Sequence, residues 1–68
     1  MEKYNCIIVE DEPLAAEILK DYINQVAFLN LITICEDAIY ALDVLQKEKI
    51  DLIFLDINLP DGNGNEYR

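Results

Sequence analysis

Two rhythms of apolar residues alternate along this chain. Tyr4 to Val9, YNCIIV, is a β-branched run too apolar for a half-exposed strand, which predicts a central one. It stops at Glu10-Asp11-Glu12, and Pro13 then fits the first helical position, where its missing N–H costs nothing. Asp11 or Glu12 is expected to cap that helix, where acidic groups suit the positive end of the dipole. From Pro13 to about Val26, Leu14, Ala15, Ile18, Leu19, Tyr22, Ile23 and Val26 recur at steps of three and four. That is one face of an amphipathic helix, with Glu17, Lys20, Asp21 and Asn24 outside, and sheet packing is its simplest use. Leu29 to Cys35, LNLITIC, is a second strand, mixed enough to lie at an edge. Asp37 can cap a second helix over Ala38 to Lys49, with Ala38, Ala41, Leu42 and Leu45 inward and Lys47 and Lys49 suiting its C-terminal end. Leu52 to Leu55, between turn signals, reads as a third, buried strand. A turn with Asn58, Pro60, Gly62 and Gly64 follows, and Asn65 to Arg68 looks like the start of another helix.

The order β-α-β-α-β, then the beginning of an α, implies an α/β fold with a parallel sheet and right-handed crossovers. The most uniformly apolar strand belongs in the middle, which gives spatial order 2-1-3 and a topological switch point between strands one and three. Open α/β sheets keep ligand sites at such crevices, at the carboxyl ends of the strands. Here that brings Glu10 and Asp11 beside Asp56.

Composition narrows the function. Sixty-eight residues make at most one small domain, yet 53% hydrophobic and 28% charged is an ordinary globular balance. A core this size is hard to stabilise alone, so the chain reads as part of a larger domain. Fourteen acidic residues against five basic ones give a net charge of −9, which repels nucleic acid and anionic membrane, although much of that charge also suits solvated helix faces. No signal peptide precedes Tyr4 and no apolar run has the length of a membrane span, so a cytoplasmic location is expected. Cys6 and Cys35 fall inside strands and read as buried free thiols; with no histidine, zinc is not expected.

Three carboxylates at one crevice repel each other unless a cation or proton intervenes. Oxygen-only ligands suit a hard cation, and Mg²⁺ is the usual partner of one or two carboxylates and a phosphate. A loop carbonyl near Asn58 could complete the set. A carboxylate can also attack phosphorus to give an aspartyl phosphate. Taken singly, Glu10 to Glu12 read equally well as helix-capping acids and Asp56 as a turn former. Their joint placement at strand ends around a switch point favours the site.

IIVEDEP before a helix, followed by DLIFLDINLPDGNG, closely resembles the first half of a response-regulator receiver domain of two-component signalling. In that family an acidic pair ends strand one and the phospho-accepting aspartate ends strand three, with a proline four residues and a glycine eight residues further on; here these are Glu10, Asp11, Asp56, Pro60 and Gly64. The resemblance covers essentially the whole chain. It implies a flavodoxin-like doubly wound sheet, of which residues 1–68 supply strands 2-1-3 of an expected 2-1-3-4-5. It further implies that Asp56 receives a phosphoryl group from a sensor histidine kinase, and that Asp11, Asp56 and the Asn58 main-chain carbonyl bind Mg²⁺, with Glu10 acting directly or through water. The opening EDEPLA is similar to a subgroup whose parent proteins often carry a LytTR-type DNA-binding output domain. Such a module is not itself an enzyme. Asp61-Gly62 departs mildly from the apolar residues more usual there.

The family's later strands supply a Ser or Thr and a Lys to the phosphoryl group, and strand four covers strand three. Lys3 and Lys49 precede strands one and three, at the opposite end of the sheet, while Lys20 and Lys47 come late in helices. On this reading the chain holds the acidic half of the site without its cationic half, and is expected to bind Mg²⁺ yet signal poorly on its own. An uncovered strand-three edge predicts a homodimer or exchange of elements through Leu52 to Leu55. The alternative function is a receiver-like interaction module that takes no phosphate. A haloacid-dehalogenase-type enzyme would want a second Asp where Asn58 stands. A calcium loop counted from Asp56 would want Gly at Asp61 and Glu at Tyr67.

Overall fold

The computed structural model describes residues 2–55. They form β1 (Tyr4–Val9), α1 (Pro13–Asn24), β2 (Leu29–Cys35), α2 (Ala38–Lys47) and β3 (Leu52–Leu55). The three strands make one parallel sheet in the order β2-β1-β3. The α/β architecture, the strand boundaries and the central place of β1 thus agree with the sequence reading.

The core has two thin layers, one on each face of β1. Cys6 and Ile8 point to one side and pack with Ile23 of α1, joined by Leu19, Leu29, Leu31, Ile34 and Phe54. Ile7 points to the other side and packs with Cys35 and with Ala41 and Val44 of α2, joined by Val9, Ile32 and Ile50. Both cysteines are free and fully buried, as expected. The alternation along β1 feeds both layers at once, which is why a uniformly apolar sequence suits the central strand.

β2 contains an irregularity that strict alternation would not reveal. Its register with β1 shifts between Cys6 and Ile7, so that Leu31 opposes Cys6, Thr33 opposes Ile7 and Ile32 is the extra residue. The bulge exchanges the faces of the strand. Leu29 and Leu31 therefore face the α1 layer, whereas Cys35, an even number of residues further on, joins the α2 layer.

Four expectations need correction. Helix α1 ends at Asn24 rather than Val26, because Gln25 and Val26 turn back to the carbonyls of Tyr22 and Ile23 in i→i−3 bonds that tighten the last turn. α2 ends at Lys47 rather than Lys49, since Glu48 is already extended. The inward faces are also rotated. α1 buries Ala16 and Ile23, while Leu14, Ile18 and Tyr22 are exposed, Leu14 to 76%. α2 buries Ala41 and Val44, leaving Leu42 and Leu45 exposed. Each apolar stripe is wider than the part of the sheet its helix covers, for α1 mainly β2 and β1. Thirdly, β3 is not buried: Leu52, Ile53 and Leu55 are exposed and only Phe54 is half-buried. Among the described residues β3 pairs along one edge only and neither helix lies over it. Lastly, Glu12 occupies the N-cap position of α1 without making a side-chain cap, and Asp11 makes none either. Asp37 does cap α2, accepting from the Tyr40 N–H at 2.9 Å.

Candidate functional site

The carboxyl end of β1 is built around Glu10, a carboxylate only 5% exposed. Its N–H donates to the Cys35 carbonyl at 2.9 Å, extending the β1–β2 pairing by one residue. Its Oε2 accepts from the Glu12 N–H at 2.9 Å, closing the turn into α1. The acid that organises this helix start is therefore two residues upstream of the N-cap. Proline at the next position then lets the helix begin without an unsatisfied donor. Asp11, next in the bend, is exposed, and among the described residues its carboxylate makes no hydrogen bond or ion pair.

Strands β1 and β3 end level. Val9 pairs with Leu55 in regular parallel register, so Glu10 and Asp56 are each the next residue in their chains. Asp56, Asn58, Pro60 and Gly64 lie outside the described residues. Within them, no three His, Cys, Asp or Glu side chains gather in a way that could hold a metal ion. The described part of the site is thus two carboxylates, one sunk and hydrogen-bonded, the other at the rim with uncommitted oxygens. That donor set fits a hard, oxygen-preferring cation such as Mg²⁺ and offers nothing to a soft one.

Two recesses flank this end of the sheet. One, of about 300 Å³, lies beside the acidic turn against Pro13, Ala16, Glu17, Ile34 and Glu36. The other, of about 370 Å³, is an apolar groove between α1 and β3, lined by Ala15, Ile18, Leu19, Phe54 and Leu55. Lys20 pairs with Glu17 at 3.7 Å and Lys47 with Asp43 at 3.2 Å, each on its own helix surface. The Lys49 carbonyl accepts from Asn5 at the opposite end of the sheet.

That opposite end holds an arrangement the sequence reading missed. The Asn5 N–H donates to Asp51 Oδ2 at 2.8 Å, and the Asp51 N–H donates to the Asn5 carbonyl at 2.7 Å. The Asn5 amide donates to the Lys49 carbonyl and accepts from the Asn30 amide, both at 3.0 Å. One asparagine thereby ties β1 to both neighbours. The signal was an asparagine interrupting an apolar strand and an aspartate immediately before another.

Comparison with known proteins agrees with this geometry. The family model described as "Response regulator receiver domain" matches residues 6–67. An uncharacterized response regulatory protein of Shewanella oneidensis is 46% identical over 61 residues, 90% of this chain and 26% of that protein. The transcriptional regulatory protein MalR of Bacillus subtilis is 42% identical over 62 residues, 91% of this chain and 26% of its own length. The sensory transduction protein LytR of Staphylococcus haemolyticus is 43% identical over 58 residues, 85% and 23% respectively. The chain therefore spans about a quarter of the length of the curated relatives it matches. No solved structure matches it. With the acidic end of β1 level with the strand that runs into Asp56, and with the family model spanning nearly all its length, the chain belongs to the response-regulator receiver-domain family.

Proposed function

We propose that residues 1–68 form the first part of a receiver domain in which Asp56 accepts a phosphoryl group from a sensor histidine kinase. The observation that carries this reading is the pairing of Val9 with Leu55, after which both chains continue into a carboxylate. In the transfer, a carboxylate oxygen of Asp56 bonds to phosphorus as the phosphorus–nitrogen bond of the kinase's phosphohistidine breaks, leaving an aspartyl phosphate on this chain. Glu10, Asp11, Asp56 and the Asn58 main-chain carbonyl would hold Mg²⁺. When bound, the ion supplies positive charge against the phosphoryl oxygens. Asp11 offers its oxygens directly, whereas Glu10, held by the Glu12 N–H, keeps the turn in place and acts from behind. The parent protein acts in the cytoplasm and passes the change to a DNA-binding output, in keeping with the regulatory names of several relatives. Among the described residues no helix is long and apolar enough to cross a membrane.

Incubation with a small acyl phosphate and Mg²⁺, followed by intact-mass measurement, tests the reading. One phosphoryl group should be gained and should be lost in Asp56→Asn. A chain that gains none, in the 68-residue form and in its longer parent, refutes it. The exposed β3 favours a second reading, in which copies associate through that edge without phosphate. Sedimentation of the dilute protein decides it: a stable folded monomer excludes edge pairing.

A further inference from the structure

β3 is the strand whose placement matters most for phosphoryl transfer, yet its apolar side chains specify that placement poorly. It has four residues, three of them exposed. Its two faces carry Leu52 and Phe54, and Ile53 and Leu55. Moving the strand by two residues would keep every face and, at the two positions where strand residues still pair, exchange one apolar side chain for another. Register is weakly determined where burial is slight on both faces. Such a slip would carry the following residues about 7 Å along the sheet, at roughly 3.3 Å per residue. That distance exceeds what a shared cation can bridge.

What resists the slip lies at the other end of the strand. Asp51 exchanges two hydrogen bonds with Asn5, side chain to N–H at 2.8 Å and N–H to carbonyl at 2.7 Å. The Asn5 amide adds a third bond to the Lys49 carbonyl. Asn30 then buttresses Asn5 from β2. In a two-residue slip Asn5 would face Ile53 or Lys49, and neither side chain can accept its N–H. Among the described residues these are the polar contacts that mark one register of β3 against all others.

We infer that the Asn5–Asp51 pair is a register lock, and that Asp51, from the far end of β3, is a positioning residue for Asp56. The lock itself stands on the described geometry; its consequence for Asp56 rests on the phospho-acceptor reading above. Asp51 acts here by presenting an acceptor oxygen, and its charge is incidental. The inference is therefore specific about which replacements are tolerated.

The test uses the 68-residue chain as wild type, Asp51→Asn, Asp51→Ala, Asp51→Val and Asn5→Ala, each checked for folding by circular dichroism. Two quantities are read: the Mg²⁺ concentration giving half-maximal labelling by a small acyl phosphate, and the cross-strand nuclear Overhauser contacts between β1 and β3. Asp51→Asn keeps the acceptor and should stay within about twofold of wild type, whereas Asp51→Ala should need about tenfold more Mg²⁺, the scale of one lost hydrogen bond. Its β1–β3 contacts should also divide between registers, with Ile7 meeting Leu55 or Asp51 as well as Ile53. If Asp51→Ala does not fold, Asn5→Ala, which keeps the two main-chain-linked bonds, should show the same division to a smaller extent. A folded Asp51→Ala protein with one set of contacts in the wild-type register overturns the lock, as does a folded Asp51→Val protein with that result where Asp51→Ala does not fold. Absence of labelling in the wild type and in its longer parent refutes the phospho-acceptor reading instead, and the contact measurement then judges the lock alone.

Discussion

The two strands beside β1 are held in opposite ways. β2 has seven residues, lies under α1 and against α2, and buries Cys35 with Leu29, Leu31, Ile32, Thr33 and Ile34 half-covered. Apolar packing on both faces fixes its ends so firmly that an extra residue at Ile32 is accommodated by a bulge. β3 has four residues, largely exposed, in perfectly regular register, and is pinned by polar contacts at its start. The scaffold strand is fastened by oil and the site strand by hydrogen bonds. Stability and placement of the candidate site are consequently separable, and substitutions should affect one without the other.

The harshest way to break that separation is to remove what both edges share. Ile8 is fully buried at the centre of the α1 layer. Ile8→Ala should cost about 3 kcal/mol in urea denaturation, enough in so small a domain to lose β2 and β3 together. Within the comparison itself, Ile34→Ala on β2 should cost about 2 kcal/mol, whereas Leu55→Ala on β3 should stay within about 0.5 kcal/mol. Equal costs would mean that β3 is packed as β2 is. Removing the α2 cap with Asp37→Ala should lower stability by about 1 kcal/mol through the layer under β2. The β1–β3 contacts should be unchanged in that variant, because α2 does not lie over β3.

The smallest effect is on pH dependence. Burial raises the thiol of Cys6, and burial together with the nearby Asp37 carboxylate raises that of Cys35. The unfolded chain then releases these protons first. Their stabilising contribution is whole below the ordinary thiol value of about 8.5 and declines as pH rises toward the higher native values. Denaturation at mild and strongly alkaline pH should show a decline that Cys6→Ala and Cys35→Ala each reduce.

Much of this fold was legible in the residues. Periods of two and of three to four, Pro13 at a helix start and Asp37 at a cap were enough for five elements and the order 2-1-3. What misled was width. Six apolar positions of the stripe on α1 suggest a buried face, but a three-stranded sheet covers only part of it, so Leu14, Ile18 and Tyr22 are exposed. The bulge at Ile32 goes unseen when β2 is read only as a mixed edge strand, without following its alternation residue by residue. At the site, Glu10 and Asp11 were identified as acids at a strand end, but which one is buried depends on the turn that the Glu12 N–H closes. Asp51 and Asn5 escaped notice because their partner is across the sheet and distant in sequence.

The two cysteines, finally, give each side of the sheet its own clock. Cys6 lies under α1 and Cys35 under α2, both sealed and both poor nucleophiles while protonated. A thiol reagent can reach either one only when its own layer parts. The labelling rates of the two sulfurs, followed in one sample, would therefore time the departure of each helix separately. They would show whether this small sheet comes undone leaf by leaf or all at once.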